Sequence, residues 1–240
     1  MEDRPTVDYF DEHTPEYSVG RLKFAIGVIN EHARENSSLV DIGCGVGNLL
    51  AFVRKETPLR DLCGIDVSKA CLQKTREAVG CETFLGSITD GSFVESLPKK
   101  YDFALLMSVL HHLVGRTRKE SRLRAEQALA NTLSLLKDGG RLMLIEPVYY
   151  PTFMMDLVFH VKKLVTKITS RRIEILGSRN NIGAPVVSYY TNEEFASMIE
   201  CNGNCEIETI HFDKERVTPV QRLALITCRM STTIIVGKKG

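Results

Sequence analysis

The spacing of apolar residues changes repeatedly along this chain. In SVGRLKFAIGVINEHARE (18–35), Leu22, Ile26, Ile29 and Ala33 recur at helical spacing. SLVDIG (38–43) is a short apolar run ending in glycine, as in a buried strand. NLLAFVRKE (48–56) predicts a helix that Pro58 ends. DLCGIDVS (61–68) predicts a second strand. It leads into a helix, KACLQKTREAV, which Ser68 can cap and Gly80 can close. ETFLGS and YDFALLMSV predict the third and fourth strands. RKESRLRAEQALANTLSLL predicts a long helix stopped by Asp138-Gly139-Gly140, and RLMLIEP a fifth strand.

Strand and helix therefore alternate from residue 39 to residue 147. The strands are apolar throughout rather than at every second position, so both faces of their sheet are covered. That combination predicts an α/β fold, a doubly wound and mostly parallel seven-stranded sheet. The alternation breaks over residues 148–190, which read as an insertion. Thr191 can then cap the helix NEEFASMIE. CEIETIHF and STTIIVGKK close the chain as an expected antiparallel pair, joined by a linker at 214–222. No stretch rich in Pro, Gly or Ser divides the chain, so residues 1–240 are expected to form one domain, with 148–190 as its cap.

Composition narrows the class. A chain of 240 residues can bury one sizeable core or at most two small ones. Its net charge of +1 argues against a strongly basic nucleic-acid footprint. No apolar run reaches the roughly 20 residues of a membrane span, and the acidic start MEDRPTVDYFDEH is not a secretory signal. The seven cysteines are odd in number and scattered through apolar segments, as expected of reduced thiols in a cytoplasmic protein. Cys201 and Cys205 lack the partners of a zinc set. None of the six histidines has a ligand spacing, so no metal is expected.

The candidate chemistry begins at LVDIGCGVGNLL (39–50). Gly43, Gly45 and Gly47 alternate in the loop after the first strand. In an open α/β sheet that loop borders the crevice where ligands bind, and glycines let the backbone turn sharply and approach a ligand closely. The dinucleotide pattern G-x-G-x-x-G fails at Asn48, and a P-loop fails because no lysine follows Gly47. Asp41 ends the strand with a carboxylate, which repels a pyrophosphate and favours a cationic ligand such as an ammonium or sulfonium.

DIGCGVG resembles the D/E-x-G-x-G-x-G motif of class I S-adenosylmethionine-dependent methyltransferases. GIDVS, YDFALLMSVLHHL and LKDGGRLMLIEP are similar to that family's second-, fourth- and fifth-strand segments. The likeness covers about residues 36–147 and the closing strands, and in style is nearest the type-11 subgroup, which includes ubiquinone-biosynthesis-like enzymes. It implies S-adenosylmethionine as cofactor, with Asp41, Gly43, Cys44 and Gly45 in the binding loop. Asp66 would accept both ribose hydroxyls, since a carboxylate offers acceptors to a vicinal diol, and Val67 would lie beside it. Met107 would border the site from the fourth strand. After the third strand the family often has Gly-Asp; here Gly86-Ser87-Ile88 stands there, placing Ser87 and Ile88 near the adenine.

Methyl transfer from a sulfonium needs alignment, exclusion of water and, for O or N acceptors, removal of a proton. His111 and His112, directly after the fourth strand, are the candidate bases. Tyr17, Tyr149, Tyr150, Phe153, Leu157, Tyr189 and Tyr190 are expected to enclose the acceptor, joined by Tyr9 and Phe10. Within the insertion, PTFMMDLVFHVKKLVTKI has apolar residues at helical spacing and a basic far portion. A lid with a solvated charged face, a lid over an apolar or anionic acceptor, and a membrane-surface helix fit this pattern in that order. A small-molecule methyltransferase is the leading expectation. An enzyme acting on RNA or protein, or a non-catalytic cofactor-binding module, stands behind it, and a homodimer is compatible with the sequence.

Overall fold

The computed structural model describes residues 19–168, 186–223 and 225–240. Seven strands form one sheet: β1 (Ser38–Ile42), β2 (Asp61–Asp66), β3 (Glu82–Leu85), β4 (Tyr101–Met107), β5 (Leu136–Tyr150), β6 (Cys205–Glu215) and β7 (Cys228–Lys238). The described helices are α1 (Lys23–His32), α2 (Asn48–Glu56), α3 (Lys69–Val79), α4 (Gly91–Glu95), α5 (Arg118–Ser134), α6 (Phe153–Ile168), α7 (Asn192–Glu200) and α8 (Pro219–Leu223). The strand order is β3-β2-β1-β4-β5-β7-β6. The first five strands are parallel, and β7 runs antiparallel to both β5 and β6. Order reverses between β1 and β4, so a crevice opens at their carboxyl ends.

The sheet separates two cores. Val40, Ile42, Ile65, Ala104 and Leu106 face Ala125, Leu129 and Phe195 on one side. Leu39, Leu105, Met143 and Ile235 face Ile29, Leu50, Val53 and Leu72 on the other. Alternate residues of a strand point to opposite faces, so strands sandwiched between two cores must be apolar at every position. This is why the continuous runs of the sequence predict buried strands.

Local signals fix the helix ends. The Ser68 hydroxyl accepts from Cys71 N–H at 3.0 Å, and Gly80 ends α3 in the left-handed region at φ 67°. Thr191 and Glu194 form a reciprocal capping box at the start of α7.

The fifth strand departs from expectation. It starts at Leu136 and continues through Tyr150, paired to β7 as far as Tyr150 opposite Cys228. Residues 148–150 are thus strand rather than insertion. Within it, the Asp138-Gly139-Gly140 segment turns without leaving the strand, helped by positive φ at Gly139 and a register shift against β4. The connection expected at 214–222 instead covers 216–227, because β6 reaches Glu215 and β7 starts at Cys228, and it carries the short helix α8.

Candidate functional site

The glycine loop sits over the crevice between β1 and β4. Gly43, Gly45 and Gly47 all have positive φ, which side chains disfavour. At Gly43 a Cβ would also lie 2.7 Å from Val109 Cγ2. At Gly47 it would meet Thr75 Cγ2 at 2.9 Å, whereas at Gly45 nothing lies within 4 Å. The outer two glycines are therefore forced by packing, and Gly45 leaves open space beside the backbone. The loop is anchored through Gly43 N–H to the Ile65 carbonyl at 2.8 Å and Thr75 Oγ1 to the Gly45 carbonyl at 2.7 Å.

Asp66 faces this loop. Its Oδ2 accepts from Gly45 N–H at 2.9 Å and its Oδ1 from Ser68 N–H at 2.8 Å. The backbone thus orients the carboxylate towards the loop. Val67 beside it is partly exposed. Gly86 N–H bonds the Asp66 carbonyl at 3.1 Å, which brings the β3 loop alongside. There Ser87 Oγ lies 2.8 Å from Thr89 Oγ1, while Ile88 is buried and its carbonyl accepts from Asn131 at 2.7 Å.

Asp41 is fully buried, and neither of its oxygens meets a hydrogen-bond donor among the described residues. Burial, and secondarily the negative charge of Asp66, pushes its carboxyl well above the usual carboxylate range. An unsatisfied buried carboxyl is costly, and a cationic or hydrogen-bonding ligand group would relieve it. The residues present thus fit a cofactor that carries a positive charge and a ribose.

Cys44 lies between Gly43 and Gly45 in the loop. Its side chain is buried in the core beneath β2, with Sγ only 2.7 Å from where a Cβ on Gly64 would stand. Only its backbone belongs to the loop, and burial pushes its thiol up. Met107, also buried, packs in the same core at the end of β4.

The second half of the site is built by Glu146, which sequence reasoning passed over. Its Oε1 accepts from Val109 N–H at 2.8 Å and Leu110 N–H at 2.7 Å. Its Oε2 lies 2.6 Å from His111 Nδ1. A carboxylate oxygen accepts, so Nδ1 is the donor in this contact, and in the neutral ring Nε2 is then the acceptor. Ser108 just before this turn has φ 58°, a strained value for a non-glycine residue. His111 is buried, and its ring lies 4.1 Å from that of His112 and 5.2 Å from that of Tyr189.

Tyr149, Tyr189, Tyr190, Arg118, Met155 and Glu194 line a cavity of about 180 Å³, together with Thr152, Asp156 and Thr191. Burial pushes the Tyr189 phenol well above its ordinary value. Arg118, also missed in the sequence, donates to Ser188 Oγ at 2.6 Å and to the Tyr189 carbonyl at 2.7 Å, and pairs with Asp156 at 2.9 Å. Its signal was hidden in a charged helix start.

Three expected acceptor residues are placed elsewhere. Tyr150 points to the opposite sheet face from Tyr149, as neighbours on a strand must, and packs against the core there. Phe153 and Leu157 stand at the surface, 64% and 52% exposed, because α6 turns Met154, Met155 and Phe159 inward instead. Tyr9, Phe10, Tyr17 and residues 169–185 lie outside the described residues.

A doubly wound sheet of this strand order, with a glycine loop at its switch point and an acid ending β2, defines a nucleotide-type binding site. Residues 40–142 match the family model of a methyltransferase domain. A protein of Encephalitozoon cuniculi named as a methyltransferase is 27% identical over 147 residues, 60% of this chain and 62% of that protein. Ribosomal RNA small subunit methyltransferase C of Photorhabdus laumondii is 22% identical over 133 residues, 55% of this chain and 38% of the relative. The matched region thus spans less than two thirds of both relatives. Magnesium protoporphyrin IX methyltransferase from Synechocystis PCC 6803, solved with bound SAH, aligns at a TM-score of 0.58 and 14% identity, covering 97% of this chain and 93% of that one. The chain has the Rossmann-like methyltransferase fold.

Proposed function

We propose that this chain is an S-adenosylmethionine-dependent methyltransferase of the type-11 kind that methylates a small-molecule acceptor in the cytoplasm. The observation that carries the reading is Asp66, held by Gly45 N–H and Ser68 N–H beside an open glycine loop. Asp66 would hold the ribose, the Gly43–Gly45 backbone would follow the amino-acid portion, and Asp41 would offset positive charge. When bound, the cofactor supplies an electrophilic methyl on sulfur.

The chain's own part is to orient and to move a proton. Glu146 fixes the His111 tautomer, leaving Nε2 to accept a proton from an acceptor O–H or N–H. An acceptor that gives its proton to His111 would be held by these residues with its lone pair towards that methyl. Tyr149, Tyr189 and Tyr190 provide aromatic walls, with Arg118 as the cationic group. A cavity of about 180 Å³ supports a small acceptor, and exclusion of water by a bound acceptor would protect the sulfonium.

Transfer of labelled methyl from S-adenosylmethionine, screened against small molecules, RNA and protein, tests this reading. Similarity to a ribosomal RNA methyltransferase makes RNA a necessary arm of the screen. Label entering only RNA or only protein contradicts the small-molecule assignment, and label entering nothing while the cofactor binds favours a cofactor-binding module.

A further inference from the structure

The helix that supplies Met155 and Asp156 to the cavity turns a different face outward. On α6, Phe153, Leu157, Val161 and Leu164 are 64%, 52%, 49% and 59% exposed. At 100° per residue they fall within an arc of about 80° between residues 153 and 164. A soluble domain rarely leaves so regular an apolar row in water.

We infer that this stripe docks α6 on an anionic lipid surface. The rim charges favour that occupant. Lys163 stands at one edge of the stripe. Lys163 Nζ donates to the Gly115 carbonyl at 2.6 Å and also to the Arg116 carbonyl, so the exposed Arg116 and Lys119 belong to the same rim. The one acid on α6, Asp156, is taken up by Arg118 at 2.9 Å. Apolar side chains along one arc and basic ones at its edge are what an interfacial helix requires, since insertion and attraction to anionic headgroups add. A second copy of the chain fits less well. Four half-exposed side chains offer a few hundred Å², short of the roughly 800 Å² that each partner of a stable interface buries. Docking goes beyond the proposed methyl transfer and needs no cofactor.

Vesicle sedimentation of the full chain tests it, with phosphatidylcholine vesicles against phosphatidylcholine–phosphatidylserine vesicles. The chain should pellet with the serine-containing vesicles and be released by high salt, because the rim charges are exposed. Leu157→Gln with Leu164→Gln should cut binding at least tenfold at an unchanged melting temperature. The chain contains no tryptophan, so Phe153→Trp installs a single reporter. Its emission should shift to the blue with anionic vesicles and stay unchanged with neutral ones. No pelleting and no shift overturns the inference. So does a wild-type dimer in light scattering that the double Gln variant converts to monomer, since a second copy then covers the stripe.

Discussion

Asp41 and Asp66 approach one another at the mouth of the sheet, yet only Asp66 has backbone donors on both oxygens. That difference separates their expected behaviour. Asp66→Ala removes charge-assisted contacts of roughly 1.5–3 kcal/mol each, so cofactor affinity should fall tenfold or more in calorimetric titration, with the fold intact by circular dichroism. Asp41 should act on stability instead. Its folded-state carboxyl holds its proton far more tightly than the unfolded value near 3.8. As pH rises above that value the unfolded chain ionises first, so the ligand-free protein loses stability until folded Asp41 itself ionises. Asp41→Asn lacks this loss. The melting temperature of the variant relative to wild type should therefore climb with pH, and a flat difference across the range contradicts the assignment. Asp66 was legible in the sequence because it ends a strand at the right distance from the glycine loop. Glu146 was not: a lone acid at the end of RLMLIEP looks like a strand terminus. Its partners, Val109, Leu110 and His111, lie about 35 residues earlier and meet it only once β4 and β5 pair.

Elements with strong local signals could be read almost to the residue. The expected helices 48–56, 69–79 and 192–200 coincide with α2, α3 and α7, because a local end signal agrees with the apolar spacing at each: Pro58 after α2, the Ser68 cap and left-handed Gly80 around α3, and the Thr191–Glu194 box before α7. Elements whose limits depend on distant pairing could not. The extent of β5 is set by its long partner β7, and the outward face of α6 by which side meets Tyr149 and Ile226. The loop glycines allow a test at this scale. Gly47→Ala combines positive φ with contacts at 2.9 and 3.0 Å to Thr75 and Val79. It should lower stability by about 1–3 kcal/mol in urea titration, the usual cost of overpacking. Gly45→Ala has strain without a clash, so its stability should fall less while cofactor affinity falls because the open side of the loop is filled.

At the scale of the whole molecule, the sheet brings two independent half-sites together: Asp66 with the glycine loop on one side of the switch point, and Glu146 with His111 on the other. They should fail separately. His111→Ala should reduce kcat roughly 10²–10⁴-fold, the range of a positioned general base, with cofactor affinity unchanged. Glu146→Gln should give a smaller loss, since an amide can still hold the His111 ring but no longer accepts through both of its side-chain termini. Among the described residues no cluster of three metal-ligating side chains occurs, and turnover should survive exhaustive chelation; activity restored only by an added divalent ion contradicts this. The central claim is that the glycine loop and Asp66 bind S-adenosylmethionine. Isothermal titration of S-adenosylmethionine and S-adenosylhomocysteine into the wild-type chain and Asp66→Ala tests it most directly. The account predicts one site per chain for both ligands, weakened at least tenfold in the variant. No heat of binding in the wild type, or equal affinity in a folded Asp66→Ala, contradicts it.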